Sequence, residues 1–348
     1  MKKIMKIGMT YNLKSDWKFA AGDPMDANAE FDKLETINDL ARIFESFGHK
    51  VVKIGNVDQL LAQLADLDVD IIFNIHEGIG DRNRESQVPV ILDLAGIPYT
   101  GSDGLTLGIT LDKVVGKKCF IADGVPTPRY FVARSAENLE KLNTIGYPLI
   151  VKTIWEGTSK GLTDESRVED LAGLKRQVSM IIEKYNQPAL IEEFIKGTEF
   201  TVAVIGNETP QAMPVVQVSI NGDINLGNAF YTFVRTQTEE VRYLCPAKIT
   251  PELSKKIQDI AVAAYQSAGC RDYGRVDFRV DEKGNPYVLE INPLPSLDRN
   301  DVFNLFPKVI NTTFEEIIEK ILNLALKRCG LSGSVSGKPA DVFQIGRR

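Results

Sequence analysis

The first hundred residues alternate short apolar segments with amphipathic ones, and this alternation constrains the fold more than any other feature. Three apolar segments have the length of buried strands: residues 6–9, 51–54 and 70–75. Two segments with helical periodicity separate them: residues 29–47, which end before Gly48, and residues 58–66. The order predicts a parallel sheet with helices on its faces, whose ligands bind beyond the carboxyl ends of the strands.

Composition narrows the class of protein. A length of 348 residues predicts two or three domains at roughly 150 residues each. The net charge of −6 argues against a nucleic-acid binder. The four cysteines show neither CxxC nor Cys/His spacing, so a disulfide framework or a zinc site is not expected and a reducing cytoplasm fits best. The apolar run at the N-terminus is too short and interrupted for a signal peptide, and no stretch approaches the ~18 residues of a membrane span.

Glycine-rich stretches along the chain predict the domain boundaries. The Gly-rich stretch 98–108 closes an N-terminal α/β domain (1–108), followed by a central domain (109–194), a C-terminal domain (195–330) and a flexible tail (331–348). Three helix starts are predicted: Asp112 as an N-cap, Thr250 before a proline, and a capping box over residues 312–315.

The most informative segment is 273–292, YGRVDFRVDEKGNPYVLEIN. Polar and apolar residues alternate on both sides of a turn, as in a half-buried β-hairpin. Centred on residues 283–284, the hairpin would place Asp277 opposite Glu290 and Arg275 opposite Asn292. Facing carboxylates repel each other, and Mg²⁺ would remove that penalty with carboxylate and amide ligands. The alternative is a solvated polar face on which arginines neutralise the acids.

Three further segments carry candidate residues. In segment 148–161, PLIVKTIWEGTSKG, Lys152 lies on a predicted strand, and a Gly-rich loop suited to phosphates follows it. The Walker A spacing is absent, and a plain surface loop is the more frequent explanation of such a segment. Segment 190–200 intersperses acids with apolar residues, a pattern also typical of exposed strand acids. Lys113 lies in the first turn of a helix, where a nearby anion would rationalise a cation and surface exposure would explain it equally well.

In this order, the segments resemble the ATP-grasp superfamily and, within it, the D-alanine–D-alanine ligases. The similarity runs from about residue 70 to residue 309 through NIHEG, IPYTGS, LDK, VPTP, YPLIVK, EGTSKG, EEFIKGTEFTVAV, GRVDF and VLEIN. The resemblance implies an α/β ATP-grasp fold with an N-terminal Rossmann-like parallel-sheet domain. It also implies that ATP lies between the central and C-terminal domains.

The resemblance also implies roles for individual residues. The ATP-binding residues would belong to the central domain and its junction: Lys113, Lys152, Gly157, Thr158, Ser159, Glu192, Glu193, Ile195 and Glu199. Lys113 and Lys152 would bind the phosphates, and the loop 157–161 would close over them. Glu192 and Glu199 would lie at the adenosine, Glu199 on the ribose hydroxyls, with the backbone of Glu193 and Ile195 at the adenine edge. Asp277, Glu290 and Asn292 would bind Mg²⁺ or Mn²⁺. Arg275 would stabilise the reacting acyl group, and Arg235 would stand where the family has a catalytic lysine–tyrosine pair.

Three departures from the family bear on the substrates. Its N-terminal glutamate has no clean match, and Glu30 or Asp32 would serve instead. The lysine–tyrosine pair falls at Arg235 and Thr236, so a charge survives and the tyrosine is lost. Asp301 replaces the serine that holds the acceptor's carboxylate, and an acid there would repel such an acceptor. His76, directly after the third strand, is the remaining substrate candidate.

The expected function is therefore an ATP- and Mg-dependent ligase that joins a carboxylate to an amine through an acyl phosphate. One alternative is a related ligase that uses other amino acids or a small metabolite. A second alternative is a nucleotide-binding scaffold without catalysis. The predicted metal ligands Asp277, Glu290 and Asn292 argue against it, as does Arg275. The expected partners are small-molecule substrates, with neither nucleic acid nor membrane, and a homodimer is left open.

Overall fold

The computed structural model describes residues 3–80, 82–142 and 144–331. Within these ranges three sheets follow one another along the sequence. They correspond in order to the three predicted domains, whose exact boundaries stay a prediction. Of the predicted flexible tail only Leu331 belongs to the described residues. No helix in the described ranges combines the length and the apolar character needed to cross a membrane.

The first sheet has three parallel strands in the order β2–β1–β3, as the alternation predicts. Its strands are β1 (Lys6–Tyr11), β2 (Lys50–Gly55) and β3 (Ile71–Ile75). The accompanying helices are α1 (Leu34–Ser46), α2 (Val57–Gln63), α3 (Gln87–Ala95) and α4 (Gly104–Leu111).

The helix expected from residue 29 begins only at Leu34, so that start is wrong. Residues 24–31 instead form successive turns, in which Ala27, Ala29 and Phe31 donate their N–H groups to carbonyls three residues earlier. Asp32 then bonds the chain after β1: its N–H donates to the Asn12 carbonyl, and its carbonyl accepts from Lys14. This tertiary pairing outweighs the local helical periodicity.

The second sheet has four antiparallel strands in the order β4–β7–β5–β6. The strands are β4 (Tyr130–Ala133), β5 (Leu149–Thr153), β6 (Arg167–Val168) and β7 (Ala189–Glu193). The helices are α5 (Lys113–Ala122), α6 (Leu139–Leu142) and α7 (Leu171–Tyr185). Asp112 caps α5 as predicted, because its carboxylate accepts from the N–H groups of Val114 and Val115.

The third sheet has six strands. They are β8 (Gly197–Ile205), β9 (Gln211–Ala212), β10 (Val216–Ile220), β11 (Val241–Leu244), β12 (Tyr273–Asp281) and β13 (Pro286–Asn292). The helices are α8 (Phe233–Thr236), α9 (Pro251–Ser267), α10 (Pro307–Ile310) and α11 (Phe314–Arg328). Thr250 caps α9 as predicted. The capping box of α11 is shifted by one residue, because Thr313 and Glu316 exchange the two capping bonds.

The β12–β13 hairpin has the predicted register at its functional end, where Arg275 faces Asn292 and Asp277 faces Glu290. The register then shifts, so that Phe278 faces Val288 and Leu289 is the extra residue of a bulge. The strict alternation expected along β13 is therefore wrong before Glu290.

One hydrophobic core joins the two ends of the chain. Ile37 and Phe44 of α1 belong to the same buried cluster as Ile318 and Leu322 of α11. Met9 and Phe73 of the first sheet share this cluster with Ala203 and Tyr273 of the third sheet, so the two sheets lie side by side. This packing brings all three sheets around one cavity.

Candidate active site

A cavity of about 480 Å³ lies among the three sheets. Fifteen of the predicted site residues line it: Glu30, Asp32, Lys113, Lys152, Thr158, Ser159, Glu192, Glu193, Ile195, Glu199, Arg275, Asp277, Glu290, Asn292 and Asp301. Gly157, His76 and Arg235 do not line it. The sequence-predicted segments thus converge although they span most of the chain.

The β12–β13 hairpin presents two carboxylates and one amide to the cavity. Asp277 accepts hydrogen bonds from the Thr201 hydroxyl at 2.6 Å and from Arg275 at 3.0 and 2.9 Å. The carboxylate of Glu290 lies 3.1 Å from Lys113 Nζ. The Asn292 Oδ1 atom accepts from the Leu294 N–H at 2.9 Å. The positive charges of Arg275 and Lys113 offset the repulsion between the carboxylates of Asp277 and Glu290.

The oxygen atoms of this trio suit a hard cation such as Mg²⁺ or Mn²⁺. Across the described residues, no group of three or more His, Cys, Asp or Glu side chains is placed to hold a metal ion. Two carboxylates and an amide would leave the remaining coordination positions to phosphate and water oxygens, which is how Mg²⁺ is commonly held at nucleotide sites.

Arg275 is fixed by its own strand. It bonds Asp277 two residues along β12 through both Nε and Nη2. Burial alone would lower the pKa of Arg275, but the adjacent Asp277 carboxylate raises it well above its ordinary value. The guanidinium is therefore a permanent, oriented positive charge in the cavity.

Two lysines hold Glu192, one at each carboxylate oxygen. Its carboxylate lies 2.5 Å from Lys117 Nζ and 2.7 Å from Lys152 Nζ. Burial would raise the pKa of Glu192, yet the two ammonium charges lower it to about 2. An ionised Glu192 in turn keeps Lys152 in place at the cavity wall.

The glycine loop (residues 157–161) carries a turn suited to an anion. Thr158 and Ser159 have φ angles of 48° and 56°, which lie in the left-handed region. The Lys160 N–H donates to the Gly157 carbonyl at 3.0 Å. Within the described ranges, the N–H groups of Thr158 and Ser159 have no hydrogen-bond partner. Successive free N–H groups in such a turn form a concave anion site.

Two of the residues predicted to lie at the adenosine differ in their hydrogen bonding: among the described residues the Ile195 N–H is free, whereas the Glu199 carboxylate is already hydrogen-bonded. The N–H of Ile195 has no hydrogen-bond partner in the part of the chain that the structure describes. Glu199 already accepts from Arg279 at 2.7 Å and from the Tyr231 N–H at 3.2 Å. A nucleotide ribose would therefore share or displace one of these bonds.

Glu30 is engaged by protein groups rather than left open for a substrate. It accepts from Arg84 at 2.7 Å, from the Gly157 N–H at 2.6 Å and from Lys160 at 3.2 Å. Although burial would raise the pKa of Glu30, these cations lower it to about 2. Neither Arg84 nor Lys160 is predicted from the sequence in this role, and the position of Lys160 in the loop motif is the one signal that points to it.

His76 and its neighbour Glu77 face different surroundings. His76 is fully buried, and its Nε2 atom accepts from the Val57 N–H at 3.3 Å. Burial lowers the pKa of His76 to about 4. Glu77 lines the cavity instead, since successive side chains of an extended segment point to opposite sides. The expectation that His76 contacts substrate has no support from this placement.

Arg235 lies in α8 and does not line the cavity. Its guanidinium lies 2.8 Å from Asp164 and donates to the Phe230 carbonyl at 2.9 Å. Tyr231 and Tyr243 line the cavity from this side, with their hydroxyls 2.9 Å apart. Neither tyrosine is predicted from the sequence as a site residue.

Asp301 lines the cavity, as its position in the sequence predicts. One carboxylate oxygen accepts from the Val302 N–H at 2.6 Å. Burial raises the pKa of Tyr231 to about 12, and the negative charge of Asp301 adds to that rise. The cavity therefore has an acid at the end where Arg275 and the two tyrosines meet.

Comparison with known proteins gives consistent matches. The family model described as D-ala D-ala ligase C-terminus matches residues 120–323. The uncharacterized protein y4sG of Sinorhizobium fredii is 37% identical, over 74% of this chain and 75% of that protein. The D-alanine–D-alanine ligase of Pelotomaculum thermopropionicum is 30% identical, over 82% of this chain and 92% of the relative.

A solved structure shows the same fold. The D-alanine–D-alanine ligase from Bacillus anthracis, complexed with ATP, superposes with a TM-score of 0.72 at 21% identity. The superposition covers 94% of this chain and 99% of that structure.

Proposed function

The chain belongs to the D-alanine–D-alanine ligase family, and from that premise we propose that it uses ATP to activate a carboxylate as an acyl phosphate and couples it to an amine. The observation that carries this proposal is the meeting of the hairpin oxygens with Arg275, Lys113 and Lys152 around one cavity. Phosphoryl transfer depends on positioning and charge rather than on a side-chain nucleophile.

The nucleotide would lie between the second and third sheets. Lys113 and Lys152 neutralise its phosphates, and the free N–H groups of Thr158 and Ser159 bind phosphate oxygens. The free N–H of Ile195 bonds the edge of the adenine. Glu193 and Glu199 complete the adenosine site as a prediction that rests on the resemblance.

Asp277, Glu290 and Asn292 would hold Mg²⁺ or Mn²⁺. A bound divalent cation neutralises the negative charge that develops on the phosphates during transfer. Asp277 and Glu290 already lie beside Arg275 and Lys113. These two ion pairs therefore orient both carboxylates toward the cavity.

Arg275 would act on the acyl phosphate once it has formed. Its guanidinium donates toward the acyl oxygen on which negative charge develops when the amine attacks. The bidentate bond to Asp277 fixes its plane, so little reorganisation is needed at the moment of reaction.

The surroundings of Asp301 bear on which amine is the acceptor. D-Alanine is the acceptor in the relatives' names, and a family ligase with a different acceptor is favoured here by Asp301. A carboxylate on the acceptor would meet the carboxylate of Asp301, and like charges brought together cost several kcal/mol. We infer that the acceptor amine lacks a negative charge near its amino group.

One assay tests the function at two levels. ATP, Mg²⁺ and single amino acids are supplied with hydroxylamine, which traps an acyl phosphate as a hydroxamate without any acceptor. Hydroxamate formation supports the activation step, and phosphate release with a panel of amines then identifies the acceptor. Release with D-alanine alone and formation of the dipeptide would support the D-alanyl-D-alanine product. The absence of hydroxamate with every carboxylate would favour a scaffold without catalysis.

A further inference from the structure

The N-terminal domain reaches across to the glycine loop through a bracing segment (residues 24–32). The carboxylate of Asp26 accepts a hydrogen bond from the Gly161 N–H at 2.9 Å. The carboxylate of Glu30 accepts from the Gly157 N–H at 2.6 Å. Two acids of one segment therefore hold the first and the last residue of the loop.

The Asp26 contact is built into the fold rather than a chance surface contact. Asp26 is only 5% exposed. The hydroxyl of Tyr185, at the end of α7, donates to its two carboxylate oxygens at 3.1 and 3.0 Å. Gly161 has a φ of +80°, and an added Cβ would come within 2.8 Å of the Thr153 side chain. Only glycine lets the loop backbone approach this carboxylate without strain.

The two bonds leave the middle of the loop available. Asp26 and Glu30 bind N–H groups at its ends, whereas the N–H groups of Thr158 and Ser159 between them are free of partners among the described residues. Asp26 itself does not line the cavity. Its charge therefore acts on a bound phosphate only through the position of the loop.

We propose that the bracing segment holds the glycine loop closed before the nucleotide binds, with Asp26 as its positioning residue. This inference rests on the proposed function of the loop as a phosphate cradle. Ordering a mobile loop during binding consumes part of the binding free energy. Because this loop is already ordered, that cost is avoided and the nucleotide binds more tightly. If the closed loop were only a minor state, the apparent affinity would fall by its fractional population.

Trypsin provides a direct test, because Lys160 lies inside the loop and is only 8% exposed. Without nucleotide, the wild-type chain should resist cleavage after Lys160. Asp26→Ala should accelerate that cleavage at least ~10-fold, since a charge-assisted hydrogen bond is lost. ATP with Mg²⁺ should restore protection in the variant. Asp26→Asn, which keeps an acceptor oxygen, should fall between the two.

Asp23→Ala is the matched control. The Asp23 carboxylate accepts from the Ala20 N–H, outside the glycine loop, so the cleavage rate should not change. In steady-state kinetics, Asp26→Ala should raise KM for ATP at least ~10-fold while kcat falls by less. A general loss of structure would instead change cleavage at all sites and would not depend on nucleotide.

Equal cleavage of wild type and Asp26→Ala after Lys160 would overturn the inference, and so would rapid cleavage of the wild type without nucleotide. If Asp26→Ala does not fold, Tyr185→Phe takes its place, with an expected acceleration of ~3-fold, because Asp26 then loses the hydroxyl that orients it but keeps its bond to the Gly161 N–H. Protection in the absence of nucleotide does not require turnover. A protected loop in a chain that forms no hydroxamate would therefore count against the proposed function alone.

Discussion

The ammonium of Lys113 lies 3.1 Å from the carboxylate of Glu290 and joins the first turn of α5 to β13. A cation in the first turn of a helix faces the positive end of the helix dipole and needs an anion nearby. Glu290 supplies that anion in the absence of nucleotide. A bound phosphate would pair with the Lys113 ammonium, and a bound divalent cation would pair with the Glu290 carboxylate. These two contacts would replace the ion pair between Lys113 and Glu290.

Glu290→Gln should therefore abolish turnover while preserving the fold. The amide keeps the shape of the side chain but loses the charge, and the loss of a metal ligand should cost at least ~100-fold in kcat. Phosphate release measures the activity, and the thermal midpoint measures the fold. Glu282→Gln is the matched control, since Glu282 lies at the exposed tip of the same hairpin and pairs with Lys196 at 2.9 Å. Full activity in Glu290→Gln would remove Glu290 from the metal site.

The facing of Asp277 and Glu290 could be predicted because a hairpin has a side-chain period of two and a turn signal fixes its centre. The bulge at Leu289 could not, because it depends on how β12 and β13 pack on the rest of the sheet. Glu30 shows the same limit. Its partner Arg84 lies 54 residues away in the sequence, and its partner Lys160 lies 130 residues away. No local pattern specifies contacts of that kind.

Glu85→Gln should remove part of the pH dependence of stability. Burial raises the pKa of Glu85 from 4.5 to about 8 in the folded chain. Between these values the folded state binds more protons than the unfolded state, so stability is present at low pH and falls as the pH rises through this window. A permanently neutral glutamine should raise the free energy of unfolding on the order of 2 kcal/mol near pH 8, with less effect near pH 5.

Urea unfolding at both pH values measures that difference. Glu45→Gln, on the exposed side of α1, should leave the pH dependence unchanged. Equal stabilisation by Glu85→Gln at both pH values would mean that its effect comes from packing and not from proton binding.

Arg235→Ala should change kcat only modestly if the guanidinium acts through its ion pair rather than on the substrate. Arg235 lies 2.8 Å from Asp164, whose side chain is 73% exposed. Exposed ion pairs contribute about 0.2–1 kcal/mol, so the expected loss is below ~5-fold. Asp164→Ala should have the same effect, and the double variant should add little to either single one. A loss of ~100-fold in Arg235→Ala alone would restore its predicted role as a catalytic residue.

His76 and Glu77 show that a sequence motif does not specify which of its side chains faces a cavity. The sequence predicts that the segment after β3 lies at the substrate site, and the residue of this segment that lines the cavity beside the strand end is Glu77. His76 faces the opposite side and accepts from Val57. The choice between neighbours depends on which side of an extended chain meets the other domains, and that is set by packing between sheets rather than by the motif.

Asp301→Asn should shift acceptor preference toward amines that carry a carboxylate. The change keeps the size of the side chain and its acceptor for the Val302 N–H, and removes the charge. D-Alanine and D-alanine amide are matched acceptors, since they differ in charge beside the same amine. The wild-type chain should prefer the amide, and Asp301→Asn should raise kcat/KM for D-alanine relative to the amide at least ~10-fold, because like charges in a shared site cost more than 1.4 kcal/mol. Hydroxamate formation without acceptor should stay unchanged, which separates acceptor binding from activation. A wild-type preference for D-alanine that Asp301→Asn leaves unaltered would show that Asp301 does not face the acceptor's carboxylate.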